Sequence, residues 1–299
     1  MKIRFNKLSI AEKKAIWAYI FLFVPLIFYI VIRIYPAFSS FYISFTDWDI
    51  VSSEKQFIGL ENYQRMINDP VFLKTLVNTF RYVIFGLPVT LVLSFIIAYN
   101  LNKLKRGLGF YRTLYFIPYM TSLVAVSWVW RWLYQPLPLG FFNNLLSFFG
   151  LTQQPFLQST SQALPSILAP TIWVEIGFQV IIFLAGLKAV PEFLYEAADI
   201  DGADNWQKLF KITIPLLRPT IIFLVVMGTI KYLRIFTQVY TMTYQGEGGP
   251  LNSTKPLVLY IYNTAFRSFD MGYASAMTVV LFIIILFITL VQLRVLEMK

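Results

Sequence analysis

The stretch EAADIDGADNWQKLFKITIPLLRP, residues 196–219, is a polar interruption between two long apolar runs. Its chemistry predicts two short helices. Pro191 opens the first at Glu192, Leu194 to Ala198 continue it, and Gly202 is the residue best able to turn the chain sharply. The second starts near Asp204, whose carboxylate can cap the free N–H groups of Asn205 to Gln207. It runs to about Ile212, before Pro215 and Pro219 stop or kink it. Leu209, Phe210, Ile212 and Ile214 offer apolar surface, while Ala197, Ala198, Gly202 and Ala203 keep one side low in profile. Two readings follow: a surface against which another protein's backbone docks closely, or an amphipathic connector lying on a lipid interface.

Working outward, the chain of 299 residues is 58% hydrophobic and 13% charged, and its apolar residues gather into runs long enough to cross a bilayer as helices. This predicts an all-α membrane protein with six spans, at about 16–44, 78–101, 112–134, 164–187, 219–243 and 272–294. The first run follows Lys2, Arg4, Lys7, Lys13 and Lys14 but is too long for a signal peptide and lacks a small-residue cleavage site, so it reads as an uncleaved span. The net charge of +10 sits mostly in short segments between the runs, a membrane-topology pattern that does not suit a nucleic-acid surface. The basic tail, the connection carrying Lys103, Lys105, Arg106 and Arg112, and the segment carrying Lys208, Lys211 and Arg218 fall on one side, which should be cytoplasmic along with both termini. The longer connections, 45–77, 135–163 and 244–271, fall on the other, so Ser53 and Ser253 should be reachable from outside and Asn205 from inside. Trp48, Tyr63, Trp132, Tyr134, Tyr240 and Tyr244 lie near span ends, as an aromatic belt would place them. With no Cys and no His, thiol chemistry, an imidazole base and an ordinary zinc site are excluded. No repeat, low-complexity tract or soluble domain stands out, so residues 1–299 read as a single transmembrane domain.

The order Glu196, Ala197, Ala198, Asp201, Gly202, Ala203, Phe210, Ile212, Pro215, Pro219 resembles the EAA signature of permease subunits in bacterial binding-protein-dependent ABC importers. In that family the loop, here 191–219, forms coupling helices that dock in a cleft of the ATP-hydrolysing subunit. The resemblance extends over nearly the whole chain. FTDW (45–48), FIGLENY (57–63), DPVF (69–72), NTF (78–80), YRTLYFIPY (111–119), GGPLNST (248–254) and GYASAM (272–277) are similar to carbohydrate-uptake permeases of the maltose and multiple-sugar type, which have relatives carrying glycerol phosphates. Where the family often has Phe-Asp in the fifth span, this chain has Phe236 followed by Thr237, so no role of that aspartate transfers.

The resemblance implies the type I ABC importer permease fold and places substrate contacts on the helices flanking the loop. There stand Thr171, Trp173, Glu175, Gly177 and Phe178, then Thr229, Lys231, Tyr232, Arg234 and Phe236. Independently, charges inside apolar spans are costly and persist by facing a wet cavity or by pairing. Trp173 and Tyr232 could stack on a sugar ring while threonines and charged groups bind its hydroxyls. The alternative is structural: Glu175 pairs with Lys231, Arg234 or Arg131, and the aromatics face lipid or a partner helix. The excess of Lys231 and Arg234 over Glu175 hints at an acidic ligand. Arg33 and Arg131 read as snorkelling to the outer interface.

The expected protein is thus a multi-pass subunit of the bacterial cytoplasmic (inner) membrane that translocates an oligosaccharide or sugar derivative and catalyses no reaction. No Gly-x-x-x-x-Gly-Lys-Ser/Thr loop is present, so ATP and magnesium would belong to two partner ATPase subunits, with no metal or cofactor on this chain. A second homologous permease, completing a heterodimer, and an extracytoplasmic binding protein are the other implied partners, besides lipid and the saccharide. Glycerol-phosphate import is the nearby alternative. An ion-coupled secondary transporter is the remote one, since Glu175 is the only carboxylate deep in a span.

Overall fold

The computed structural model describes residues 9–51, 55–104 and 106–297; Lys2, Arg4, Lys7, Ser53 and Lys105 lie outside the described residues. Helix α1 (Ile10–Ile43) opens on a capping box, in which the Ser9 hydroxyl accepts from the Glu12 N–H and the Ser9 N–H donates to Glu12. This cap starts the helix six residues before the expected span. None of its residues is buried although most are apolar, the character of a helix whose solvent is lipid. Helix α2 (Glu61–Ile67) is short, and α3 (Pro70–Asn102) begins at Asp69, which accepts from the N–H groups of Val71 and Phe72. The chain continues through α4 (Leu108–Met120), α5 (Leu123–Leu133), α6 (Phe141–Phe148), α7 (Ala163–Ala189), α8 (Glu192–Ile200), α9 (Asn205–Leu216), α10 (Arg218–Leu233), α11 (Thr237–Met242), α12 (Leu257–Phe266) and α13 (Met271–Glu297). Helices α1, α3, α7 and α13 are long and apolar enough to cross a membrane. Among the described residues the bent pairs α4–α5 and α9–α10 bring the count to six if each makes one span.

Two expected spans are not single helices. The run 112–134 breaks between α4 and α5 with a bend of 89°, where Pro118 weakens the last turn and Thr121 adopts an extended conformation. The run 219–243 ends as a helix at Leu233 and resumes at Thr237, with Phe236 out of helical geometry between them. The 191–219 segment also differs in extent. Helix α9 does not stop near Ile212 but runs to Leu216 and bends by 65° into α10 at Leu217. Its wide turn at Leu209–Thr213 explains how: such turns also occur at Ile30–Ile34 and Tyr82–Gly86, and each ends two residues before a proline, Pro215, Pro36 and Pro88 respectively. Proline lacks an N–H and its ring crowds the carbonyl four residues back, so widening the preceding turn relieves both conflicts without ending the helix.

The chain divides into two compact units, Met1–Arg65 with Thr264–Val279, and Met66–Asn263 with Val280–Lys299. In the first, three sequence motifs meet. The Asn62 amide donates to the carbonyls of Ser44 and Thr46 at 3.0 and 2.8 Å, the N–H groups of Met271 and Gly272 donate to the Trp48 carbonyl, and Arg65 pairs with Asp270 at 2.7 Å. In the second, the buried Asn78 amide donates to the carbonyls of Asn252 and Lys255 at 2.8 and 3.1 Å, and the Tyr82 hydroxyl donates to that of Thr254 at 2.9 Å. The NTF and GGPLNST motifs therefore hold one loop against α3. The apolar core of this unit forms two clusters: one around Tyr82, Ile167, Tyr232, Val239 and Leu259, the other around Ala98, Val180, Phe183, Leu184 and Leu217. Helix α7 runs through both, and Gly177 lets it approach α4 closely: a Cβ there would lie 2.2 Å from the Tyr115 carbonyl oxygen.

Candidate functional site

The 191–219 segment is a helical hairpin. Helix α8 ends where the N–H groups of Gly202 and Ala203 return to the carbonyls of Asp199 and Ala198, and Gly202 takes φ +73°, a conformation that a Cβ penalises. Asp204 then caps α9, its carboxylate accepting from the Gln207 N–H at 2.7 Å while the Gln207 side chain accepts from the Asp204 N–H. Lys208 ties the second helix to the first through Asp199 at 2.5 Å, and the Tyr195 and Thr213 hydroxyls meet at 2.9 Å. Of the residues named from the sequence, Ala198 is buried and Ala203 half-buried, whereas Glu196, Ala197, Asp201, Gly202 and Phe210 are exposed. Phe210 stacks on Trp206 at 5.9 Å, and Phe193, Ile200, Trp206 and Phe210 are all exposed large apolar residues of this polar segment. Large apolar side chains left exposed on a charged connection are what a contact surface is built from.

The helices on either side of this segment, α7 and α10, wall a cavity of about 360 Å3, at the lower end of small-molecule site volumes (roughly 300–1,000 Å3). Glu175 on α7 is buried and pairs with Lys231 on α10 at 2.5 Å; Lys231 also lies 5.0 Å from the centre of the Tyr119 ring. Phe178 stacks on that ring from the other helix at 5.2 Å. Arg234, one helical turn beyond Lys231, lines the same cavity and a smaller one of about 120 Å3, whose walls include Thr171, Tyr232, Phe236 and Thr237.

The structure thus brings Thr171, Glu175, Phe178, Lys231, Tyr232, Arg234 and Phe236 to two adjoining cavities, and it places Trp173, Gly177 and Thr229 elsewhere. Trp173 lines an apolar groove with Ile97, Leu114 and Ile176, near the ring of Trp130. Gly177 serves the contact with α4, and Thr229 is buried and accepts from Gln292 of α13 at 2.8 Å. The Tyr232 hydroxyl is engaged with Thr90 at 2.7 Å, and Thr171 donates to the Ile167 carbonyl, so neither offers a free hydroxyl proton without rearrangement. Among the wall residues missed from the sequence are Tyr119 and Gln179, the latter four residues after Glu175 and hence on its face of α7. Gln179 is buried and, among the described residues, its Oε1 has no hydrogen-bond partner. A polar side chain at that spacing within an apolar run was the available signal. Arg131 does not approach Glu175; it donates to the Thr241 carbonyl at 3.1 Å and lies over the Trp128 ring. Arg33 sits exposed in the wide turn of α1.

Comparison with known proteins follows the same lines. The family described as "Binding-protein-dependent transport system inner membrane component" matches residues 67–298. The probable ABC transporter permease protein YesP of Bacillus subtilis (strain 168) is 38% identical over 94% of this chain and 90% of its own length. The multiple sugar-binding transport system permease protein MsmF of Streptococcus mutans is 32% identical over 93% of this chain and 94% of its own. The sn-glycerol-3-phosphate transport system permease protein UgpA of Agrobacterium fabrum is 29% identical over 97% and 98%. Among solved structures, a chain of a bacterial ABC transporter involved in the import of the acidic polysaccharide alginate shares the fold, with a TM-score of 0.81 over 96% of this chain and 97% of that one at 23% identity. The chain therefore belongs to the inner membrane components of binding-protein-dependent transport systems, as a multi-pass permease subunit and not the ATP-hydrolysing enzyme of its transporter.

Proposed function

We propose that this chain forms half of the translocation pathway of an ATP-driven importer for an oligosaccharide or sugar derivative. One observation carries the reading: the two helices that wall the cavity, α7 and α10, are the two that the coupling segment joins, so displacement of that segment acts on both walls at once. Phe178 and Tyr119 supply an aromatic wall, and Gln179, Glu175, Lys231 and Arg234 supply polar anchors, the combination that orients a saccharide. The exposed face of Phe193, Ile200, Trp206 and Phe210 would dock on a separate ATPase subunit, which would hold the ATP and magnesium. A second permease would close the cavity's other side, and an extracytoplasmic protein would deliver the substrate. Both termini and the coupling segment would face the cytoplasm. The similarity to UgpA supports a second reading, import of a glycerol phosphate.

The test is ATP hydrolysis by the assembled complex, stimulated by its binding protein presented with maltotriose, arabinotriose, trigalacturonate, glycerol 3-phosphate or an amino-acid mixture. Stimulation by one of the saccharides is expected. Stimulation by glycerol 3-phosphate alone would establish the second reading, and stimulation only by amino acids would overturn both.

A further inference from the structure

Three charged groups line the cavity between α7 and α10: Glu175, Lys231 and Arg234. The first two satisfy each other at 2.5 Å, and Lys231 has in addition the face of Tyr119 at 5.0 Å. The pair is internally neutral, so the charge it presents to a ligand is small. Arg234 differs. It lies three residues after Lys231, on the same face of the chain as it leaves α10, and lines both cavities. Among the described residues its guanidinium makes no ion pair or hydrogen bond. One cation is therefore left over in a wall otherwise built of rings, aliphatic side chains and one amide. Arg234 is exposed at the end of α10, open to a ligand, and a guanidinium's planar fork of N–H groups suits a carboxylate or phosphate more than it suits a hydroxyl.

From this geometry we infer that the transported molecule carries an anionic group, and that Arg234 is the residue that selects for it. The inference rests on the proposed import of a saccharide and narrows it to acidic ones, of which uronate-containing oligosaccharides are the class that also uses the aromatic wall. Glu175 then has a second consequence: by neutralising Lys231 it limits this chain's side of the cavity to one excess positive charge, which a singly charged sugar unit at Arg234 would balance. A helix-end role is the competing account of Arg234, because a cation there also interacts with the carbonyls that end α10. That role is indifferent to what the cavity holds.

The experiment compares ATP-driven uptake of trigalacturonate and of its methyl ester, which has the same skeleton without the charges, into proteoliposomes containing the complete complex. Both probes are supplied at concentrations that saturate the binding protein. The complex should prefer the acid, Arg234→Gln should lower the acid-to-ester uptake ratio about tenfold, and Arg234→Lys should restore part of it. Co-purification of the partner subunits checks assembly of each variant. An equal loss of acid and ester uptake, an unaltered ratio, or failure of Arg234→Gln to assemble where Arg234→Lys assembles would make Arg234 a structural cation and overturn the inference, as would a wild-type complex that carries the ester as well as the acid. If the ester is carried and only the charge preference is absent, the saccharide reading survives. If neither is carried by a complex that takes up maltotriose or arabinotriose, the inference falls and the saccharide reading survives; if no saccharide is carried by a complex that hydrolyses ATP, both fall.

Discussion

The Nζ of Lys231 lies 2.5 Å from Oε1 of Glu175, joining the helices on either side of the 191–219 segment, yet the two partners are unequally buried: the Glu175 side chain is 8% exposed and that of Lys231 48%. Removing the lysine strands a buried carboxylate, whereas removing the carboxylate leaves a lysine that can turn to water. Lys231→Gln should therefore destabilise the subunit by more, about 2 kcal/mol after allowance for Lys231's exposure, and Glu175→Gln by less than half of that. Thermal melting of the two purified variants measures the order. A larger loss for Glu175→Gln would mean that Lys231 depends on the pair more than the reverse.

Gly202 has φ +73° and nothing within 4 Å of where a Cβ would stand. A side chain there strains the turn by about 1–2 kcal/mol but meets no other atom of this chain. If the proposed docking on the ATPase subunit holds, Gly202→Asp should insert and assemble while lowering substrate-stimulated ATP hydrolysis, because the added carboxylate would stand in that contact. Full stimulation in an assembled complex would show that this turn is not at the contact.

Asn78 holds the carbonyls of Asn252 and Lys255 from 174 and 177 residues away. Asn78→Ala leaves buried acceptors without partners and should cost about 1–3 kcal/mol. In a protease-sensitivity assay the 244–256 loop should be cut faster in the variant. Unchanged cleavage there would place the loop's anchorage elsewhere.

How much of this was legible in the sequence depended on the range of the interaction. The turn at Gly202 and the cap at Asp204 are set by neighbours within four residues, and both stand in the structure where local chemistry put them. Glu175 and Lys231 could be shortlisted as partners because charges in apolar runs have few places to go. The breaks at Thr121 and Phe236 were hidden, since hydropathy averaged over a span does not register one extended residue. The direction of Trp173, the contact between Gly177 and Tyr115, and the bond from Gln292 to Thr229 depend on which helix lies alongside, and spacing along one helix does not encode that. The motifs around Asn62 and Asn78 could be quoted but not explained until their carbonyl partners were seen.

The charge distribution predicts the orientation of the chain. Thr152 and Asn205 are both exposed, whereas Ser253 is buried and a poor reporter. In intact cells Thr152→Cys should react with an impermeant maleimide, and Asn205→Cys should react only after the membrane is opened. Reaction of Asn205→Cys from outside would invert the topology.

Uptake against a gradient tests the central claim most directly. In proteoliposomes holding the complete complex and its loaded binding protein, labelled saccharide should accumulate only with ATP on the side of the ATPase subunits. In Gly202→Asp that accumulation should fall severalfold while basal hydrolysis persists. Accumulation driven by a proton or sodium gradient without ATP would contradict the account.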